Sequence, residues 1–304
     1  MHKKAINYIN KYFKGNLENK TIIITGGNAG IGLESARYCL YLKMNVILAV
    51  RSLSRGEKAL ENLRKDFPQG KVSLMELDVS EEKSIINFVN KIKEEKIDIN
   101  VFYHNAGVYN LPFTLKEGRE LVISTNFYGP LMINSLLLPY LYSLNHEVKM
   151  IVTSSIAATW TKIKIDYLVP NEELGKMKIY SNSKLLDAYL FDYLLRNDNK
   201  NVKYFLIHPG VTGTSLFSKA FKSKLFIKIV NTFMKIFANP LYKSSLSIVN
   251  VMSNEADNGE FYGPSHFFHA LGYPKRNDFI KKHLIDVDYI IEKSEKVVGY
   301  KLIK

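Results

Sequence analysis

The sequence predicts an α/β chain: one doubly wound domain, a mostly parallel sheet with helices on both faces. Three observations lead there. Short β-branched runs alternate with amphipathic helical stretches from residue 20 onward. The segments between successive runs are long enough for right-handed crossover helices. No linker, repeat or low-complexity tract divides the 304 residues.

The elements follow in order. Residues 1–19 form an N-terminal extension whose HKKAINYINKYF is amphipathic and reads as a docked helix. Strands are predicted at Lys20–Thr25, Asn45–Val50, Lys71–Leu77, Asn100–Tyr103, Lys149–Thr153 and Val202–Ile207. Helices are predicted at Ile31–Leu42, Arg55–Asp66 and Glu81–Glu94. Residues 20–275 make up the main domain, and 276–304 a C-terminal extension. The stretch Leu121–Asn145 carries no charge and is long enough to span a bilayer. It also carries Ser124, Asn126, Gly129, Pro130, Asn134 and Ser135, so it reads as a buried or interface helix.

Composition narrows the function. The chain is 46% hydrophobic and 23% charged, as soluble globular proteins are. Its net charge of +13 comes from scattered lysines without a nucleic-acid-binding motif, so nucleic acid is not expected as a partner. Cys39 is the single cysteine, which excludes an internal disulfide framework and fits a reducing cytoplasm. No secretory signal pattern opens the chain, and a cytoplasmic location is expected. His104, His208, His266 and His269 have no acidic partners at ligand spacing, so no metal site is expected. His104 and His208 read as strand-end residues near the cofactor.

TGGNAGIG, residues 25–32, follows the first strand and opens a helix. A turn this bare lets backbone approach a pyrophosphate where a Cβ would clash. The helix N-terminus offers free N–H groups and a positive dipole end. A tight turn without a ligand is the competing explanation. The spacing is Gly26-x-x-x-Gly30-x-Gly32, the TGxxxGIG turn of the short-chain dehydrogenase/reductase family, which the chain resembles. Other motifs of that family follow in its order: Asp78 in LDV, Asn105, Ala106 and Gly107 in HNAG, and Asn126 in STNFYG. Then come Ser154 and Ser155 in VTSSIA, Tyr180 and Lys184 in YSNSK, and Pro209 and Gly210 in HPGVTGT. The resemblance spans about Lys20 to Leu271 and implies a Rossmann-like domain and a nicotinamide cofactor.

Tyr-x-x-x-Lys arises readily by chance in a lysine-rich chain with 19 tyrosines, and it occurs here at Tyr180/Lys184, Tyr289/Lys293 and Tyr300/Lys304. Only the first lies between the serine-bearing strand and HPG; the other two read as surface pairs. Helical spacing puts Tyr180 and Lys184 on one face. A free phenol ionises near pH ~10, and a neighbouring ammonium lowers that. Tyr180 is therefore the expected general acid in carbonyl reduction and base in alcohol oxidation. Ser155 would stabilise charge developing on the substrate oxygen; capping of the next turn is its bland alternative. The resemblance implies further roles. Lys184 also holds the nicotinamide ribose, and Asn126 helps hold a water that relays protons to Lys184. Asp78, with Val79 beside it, contacts the adenine. Asn105 supports the cofactor, and Thr212 and Thr214 lie along its nicotinamide side. Ile31, Ala106, Gly107, Pro209 and Gly210 complete the expected cofactor contacts.

Arg51 ends the second strand, and no acid stands at positions 49–53. A carboxylate there would suit the ribose hydroxyl of NAD, whereas guanidinium matches the extra phosphate of NADP. NADP(H) is therefore favoured over NAD(H), with Asn28 and Arg55 assisting. The interval from Ser155 to Tyr180 is about twice that of compact family members, and the extra TKIKIDYLVPNEELGKMK reads as a surface loop beside the site. It resembles the retinol-dehydrogenase-like and protochlorophyllide-reductase-like branch, as does GEFYGPSHFFHALGYP, which implies a lipophilic substrate. The expected substrate lid, about 212–240, repeats Phe217, Phe221, Leu225, Ile229, Phe233 and Phe237 at near-helical spacing. It could cover a pocket, lie on an anionic membrane or pack on the core. The family's dimer helices correspond to Tyr128–Tyr142 and Tyr180–Leu195, so a homodimer is expected. The expected function is an NADP(H)-dependent oxidoreductase acting on a small molecule. A non-catalytic dinucleotide sensor or scaffold is the alternative, and an epimerase or dehydratase a weaker third.

Overall fold

The run TIIIT forms β1 (Thr21–Thr25), and its side chains alternate across the sheet. Ile23 joins the core on one face, Ile22 and Ile24 the core on the other. Two covered faces explain why the three central residues are all apolar, as in parallel strands. The computed structural model describes residues 1–197, 200–212, 238–266 and 269–303.

The order from the N-terminus is α1 (Lys3–Tyr12), β1, α2 (Gly30–Tyr41), β2 (Asn45–Val50), α3 (Leu53–Asp66), β3 (Val72–Glu76), α4 (Glu82–Glu94) and β4 (Val101–His104). A continuous helical rod, α5 (Leu121–Tyr142), precedes β5 (Val148–Thr153). Then come α6 (Lys176–Asn197), β6 (Val202–Ile207), α7 (Leu241–Ser244), α8 (Ser247–Met252), β7 (Phe261–His266), β8 (Leu271–Arg276) and α9 (Val287–Val298). All six expected strands form, with ends within one residue of those expected.

The sheet order is β8-β7-β6-β5-β4-β1-β2-β3, with every pair parallel except β7–β8. The chain winds outward from β1 through β2 to β3, then returns and winds the other way from β4. The reversal lies between β1 and β4. A crevice opens at the carboxyl ends of the strands at such a point.

The pair β7–β8 was not among the expected strands. It arises from GEFYGPSHFFHALGYP, where Pro264 and Pro274 and three glycines read as loop. The antiparallel pairing sits at the sheet edge and its register shifts between Leu271 and Pro274, where missing N–H donors are tolerated.

The uncharged rod α5 is long and apolar enough to cross a membrane, yet 83% of its most apolar stretch is buried inside the protein. Its Ser124–Tyr128 turn is wound as a π-helix, and Glu120 caps its start by accepting from the Ile123 N–H at 2.9 Å. Both helices expected to pair across a dimer, α5 and α6, are buried within the chain. The C-terminal extension covers α6: Val287, Ile290 and Ile291 of α9 join the same core as Leu186, Leu190 and Leu194. The Tyr189 hydroxyl locks this packing, accepting from the Ile285 N–H at 3.1 Å and facing the His283 and Ile285 carbonyls at 3.2 and 3.0 Å. α1 docks likewise, burying Ala5, Tyr8 and Ile9. Of the late Tyr/Lys pairs, Tyr289/Lys293 lies away from the cleft, with the Lys293 ammonium over the exposed Tyr289 ring at 5.3 Å; Tyr300 donates to Glu82 at 2.8 Å, and Lys304 lies outside the described residues.

Tyr189→Phe strips the segment before α9 of its partner and leaves part-buried backbone groups without that bond. Denaturant unfolding should show a loss of about 1–3 kcal/mol. An unchanged midpoint would mean that this contact holds nothing.

Candidate active site

The turn after β1 must pass the end of β4 at contact distance. A Cβ on Gly26, whose φ is +65°, would lie 3.0 Å from the Ala106 Cα. A Cβ on Gly32 would lie 2.5 Å from Asn105 Nδ2 and 2.9 Å from the Gly26 carbonyl. These two glycines are thus required by the protein's own packing. Gly30 is different: its φ is +56° and nothing lies within 4 Å of a Cβ built there. It leaves the mouth of the turn open. The Thr25 hydroxyl accepts from the Asn105 and Ala106 N–H groups at 3.0 Å each, and Asn105 Nδ2 donates to the Thr25 carbonyl at 2.9 Å. α2 then begins with no side-chain cap and no acid in its first turn. Its leading N–H groups and positive dipole end suit an anion.

A cleft of about 360 Å³ opens at this point. The expected residues reach it from separate elements. Gly26, Asn28, Gly30 and Ile31 line it from the turn, Asp78 and Val79 from the end of β3, and Asn105, Ala106 and Gly107 from the end of β4. Ser155 lines it after β5, Tyr180 and Lys184 from α6, and Pro209, Gly210 and Thr212 after β6. Gly32 lies beneath the turn. Thr214 and the aromatic series from Phe217 to Phe237 lie outside the described residues. The chain on either side of them is tied together: Asn239 N donates to the Val211 carbonyl at 2.8 Å, and Thr212 donates to Ser244 at 2.8 Å.

The structure separates the two serines. Ser154 is buried and its hydroxyl donates to the Lys184 carbonyl at 2.7 Å, which ties β5 to α6. Ser155 accepts from the Ala157 N–H at 3.2 Å, so it caps the following turn. That bond occupies a lone pair and leaves the hydroxyl proton available at the cleft. The capping bond is present and does not compete with the expected bond to a substrate oxygen.

Tyr180 is 9% exposed, and Tyr109 packs edge-on against it at 4.8 Å between ring centres. The helix around it is pinned by its own YSNSK residues. Ser183 donates to the Tyr180 carbonyl at 2.7 Å and accepts from Asn126 Nδ2 at 2.9 Å. Asn182 accepts from Thr161 at 2.7 Å. Asn126 also clamps Val108 through both backbone groups, at 2.7 and 3.0 Å. Its side chain, carried on the π-turn, therefore anchors α6 to the segment after β4. It does not line the cleft.

The Lys184 ammonium donates to the Thr153 carbonyl at 3.0 Å and to Asp187 Oδ2 at 2.8 Å. Burial pulls its pKa down, but Asp187 and, behind it, Tyr180 outweigh that, so it stands above the ordinary lysine value. Asp187 was not among the expected site residues. It sits three residues beyond Lys184 on the same helix, and it alters the expected electrostatics. Lys184 does not act on Tyr180 alone, because a buried carboxylate shares its charge.

At the cofactor end, burial raises Asp78, but its bonds to the Ser80 hydroxyl and N–H and to Lys116 outweigh that and hold its carboxyl below the usual range. Arg51 and Arg55 both line the cleft, and no carboxylate pairs with either among the described residues. Trp160 and Met177, 57% and 43% exposed, join Val108, Ile156 and Val211 as apolar lining. Ile156, Trp160 and Met177 come from the long interval before Tyr180, which forms short 3-10 turns beside the site. His104 and His208 are buried to the point that burial pushes each down to about 3, and neither lines the cleft. Each is a neutral strand-end group that stands one residue before a cleft-lining position, Asn105 or Pro209, with its own ring outside the lining. No cluster suited to a metal occurs among the described residues.

The site fits a nicotinamide dinucleotide. An open glycine mouth meets an uncapped helix start at one end, and Ser155, Tyr180 and Lys184 stand at the other. Comparison with known proteins agrees. The short chain dehydrogenase family matches residues 20–225. The chloroplastic short-chain dehydrogenase TIC 32 B of Brassica napus is 31% identical over 225 residues, 70% of each chain. Human retinol dehydrogenase 14 is 28% identical over 268 residues, 82% of this chain and 79% of its own. A crystal structure of an uncharacterised protein from Mycobacterium paratuberculosis shares the fold, with a TM-score of 0.76 at 22% identity over 97% of this chain and 98% of that one. With matching motifs converging on one cleft at the sheet's reversal point, the chain belongs to the short-chain dehydrogenase/reductase family, as an NAD(P)-dependent oxidoreductase of its retinol-dehydrogenase-like branch.

Proposed function

We propose that the protein interconverts a carbonyl and an alcohol on a lipophilic small molecule, with NADP(H) as the preferred cofactor. The observation that carries this is the convergence of Ser155, Tyr180 and Lys184 on the cleft that the glycine turn opens into. Bound there, the dinucleotide supplies or accepts the hydride. Tyr180 gives its phenolic proton to the carbonyl oxygen in reduction and takes one from the alcohol in oxidation. Ser155, its proton free, donates a hydrogen bond to the same oxygen as negative charge builds there. Lys184 is held by two hydrogen bonds, so its position is set before substrate arrives.

NADP(H) is favoured because Arg51 and Arg55 border the cleft unpaired by any carboxylate among the described residues. Guanidinium groups match a phosphate in charge and shape. A lipophilic substrate is supported by the apolar wall of Val108, Ile156, Trp160, Met177 and Val211. Human retinol dehydrogenase 14 and human polyprenol dehydrogenase are themselves named for lipophilic alcohols.

NADPH oxidation against aldehydes, ketones and quinones, and NADP reduction against alcohols, should reveal turnover that favours bulky apolar compounds. Tyr180→Phe should lower that turnover by a factor of roughly 10² to 10⁴ while NADPH binding, read by fluorescence, persists. A wild-type protein that binds NADPH and turns over nothing would instead be a dinucleotide sensor. Arg51→Asp should cut the preference for NADPH over NADH by about tenfold or more, the worth of one charge-assisted bond. An unchanged ratio would refute the assignment of Arg51.

A further inference from the structure

We infer that Asp187 is a positioning residue for this reaction: its carboxyl holds the Lys184 ammonium at the cleft, and its protonation sets how much positive charge Lys184 presents to Tyr180. The inference rests on the reading of Tyr180 and Lys184 proposed above.

The pair is nearly sealed from water. Lys184 Nζ and Asp187 Oδ2 are 2.8 Å apart, with side chains 7% and 2% exposed. An ammonium has three donors. Asp187 takes one and the Thr153 carbonyl another. The ammonium is thereby directed toward the cleft, and a Cβ built on Gly107 would stand 3.5 Å from it. At this burial each charge is felt strongly by the other.

Asp187 is unevenly satisfied. Oδ2 serves Lys184, whereas Oδ1 is buried without a hydrogen-bond partner among the described residues. An ionised carboxylate with a bare buried oxygen is costly, and a proton relieves that cost. Burial accordingly raises Asp187 to about 7, against the pull of Lys184. The surroundings add little charge. Lys184 is the charged group that acts on Asp187. Tyr180 acts on Lys184 from the same helix, and Tyr109 packs on Tyr180 from the segment after β4. α5 offers Asn126, and β5 offers the Thr153 carbonyl and Ser154, none of them ionisable.

The sign follows. At higher pH the ionised Asp187 cancels much of the Lys184 charge, and Tyr180 faces a nearly neutral pair. At lower pH a neutral Asp187 leaves Lys184 uncompensated. A raised carboxyl also means that the folded protein keeps a proton the unfolded chain has released. Stability should therefore fall as pH rises from about 4, the free carboxyl value, to about 7.

Asp187→Asn keeps an oxygen for Lys184 and cannot ionise. In wild-type protein the unfolding temperature should fall between pH ~4 and ~7, and in D187N at least half of that fall should be lost. Carbon-13 NMR of aspartate-labelled wild-type protein should show one carboxyl titrating near 7, absent from D187N, with Asp78 titrating at the low end. NADPH-dependent turnover of wild type should show an inflection in the same range, and D187N should lack it. A purely structural carboxylate would lower stability equally at every pH and leave these profiles unmoved. Equal pH slopes in the two proteins, or no aspartate titrating near 7, overturn the inference and leave the proposed activity standing. If D187N does not fold, the wild-type NMR titration decides. A titrating Asp187 in a protein that turns over no carbonyl or alcohol overturns the proposed activity and this inference with it.

Discussion

At the reversal point of the sheet, two strands must end side by side while the chain leaves one of them through a turn. The close pass of the β1–α2 turn over the end of β4 is what the rest of the site depends on. Side chains at positions 26 or 32 would push the two apart. Thr25 and Asn105 then bond across the gap and fix where the HNAG segment goes. That segment carries Gly107, Val108 and Tyr109, and so sets one wall of the cleft. Ligand access is a smaller part of the turn's glycine pattern than internal packing: of Gly26, Gly27, Gly30 and Gly32, Gly30 alone faces open space.

A second constraint acts through α6. This helix is buried along most of its length, between the sheet and α9. Burial forces its polar residues to find partners, and they find them in the elements that carry chemistry. Ser154 reaches the Lys184 carbonyl, Asn126 reaches Ser183, and Thr161 reaches Asn182. Each bond contributes about 1 kcal/mol, but together they hold Tyr180 and Lys184 in register with Ser155. The same burial makes Lys184 expensive as a lone cation, and Asp187 neutralises it. Structure and chemistry share one set of hydrogen bonds here.

Much of this was legible in the chain. Strands showed themselves as short β-branched runs, because both sheet faces are covered and no residue of β1 need be polar. Most motif residues were legible because they sit at the ends of strands, which meet at one edge of a parallel sheet, and Tyr180 and Lys184 because their spacing puts them on one face of a helix. The strands β7 and β8 were hidden by prolines and glycines that an edge pair tolerates. Asp187 was hidden because its spacing from Lys184 is that of any surface ion pair, and only burial makes it consequential. Trp160, Met177 and Tyr109 were hidden because nothing local distinguishes an aromatic or methionine that lines a cleft from one that packs in a core.

By itself, then, the sequence determined the alternation of strands and helices, the glycine turn, and the identity of the serine, tyrosine and lysine. These are local patterns, set by periodicity, by the lack of a Cβ and by spacing along one helix. Only the tertiary structure decided that Ser154 is spent on a backbone carbonyl while Ser155 keeps its proton. It also decided that Asn126 is a clamp, that α9 covers α6, and that a buried carboxylate tempers Lys184. Those outcomes depend on which distant groups share a water-free space, and no residue carries that information in its own neighbourhood.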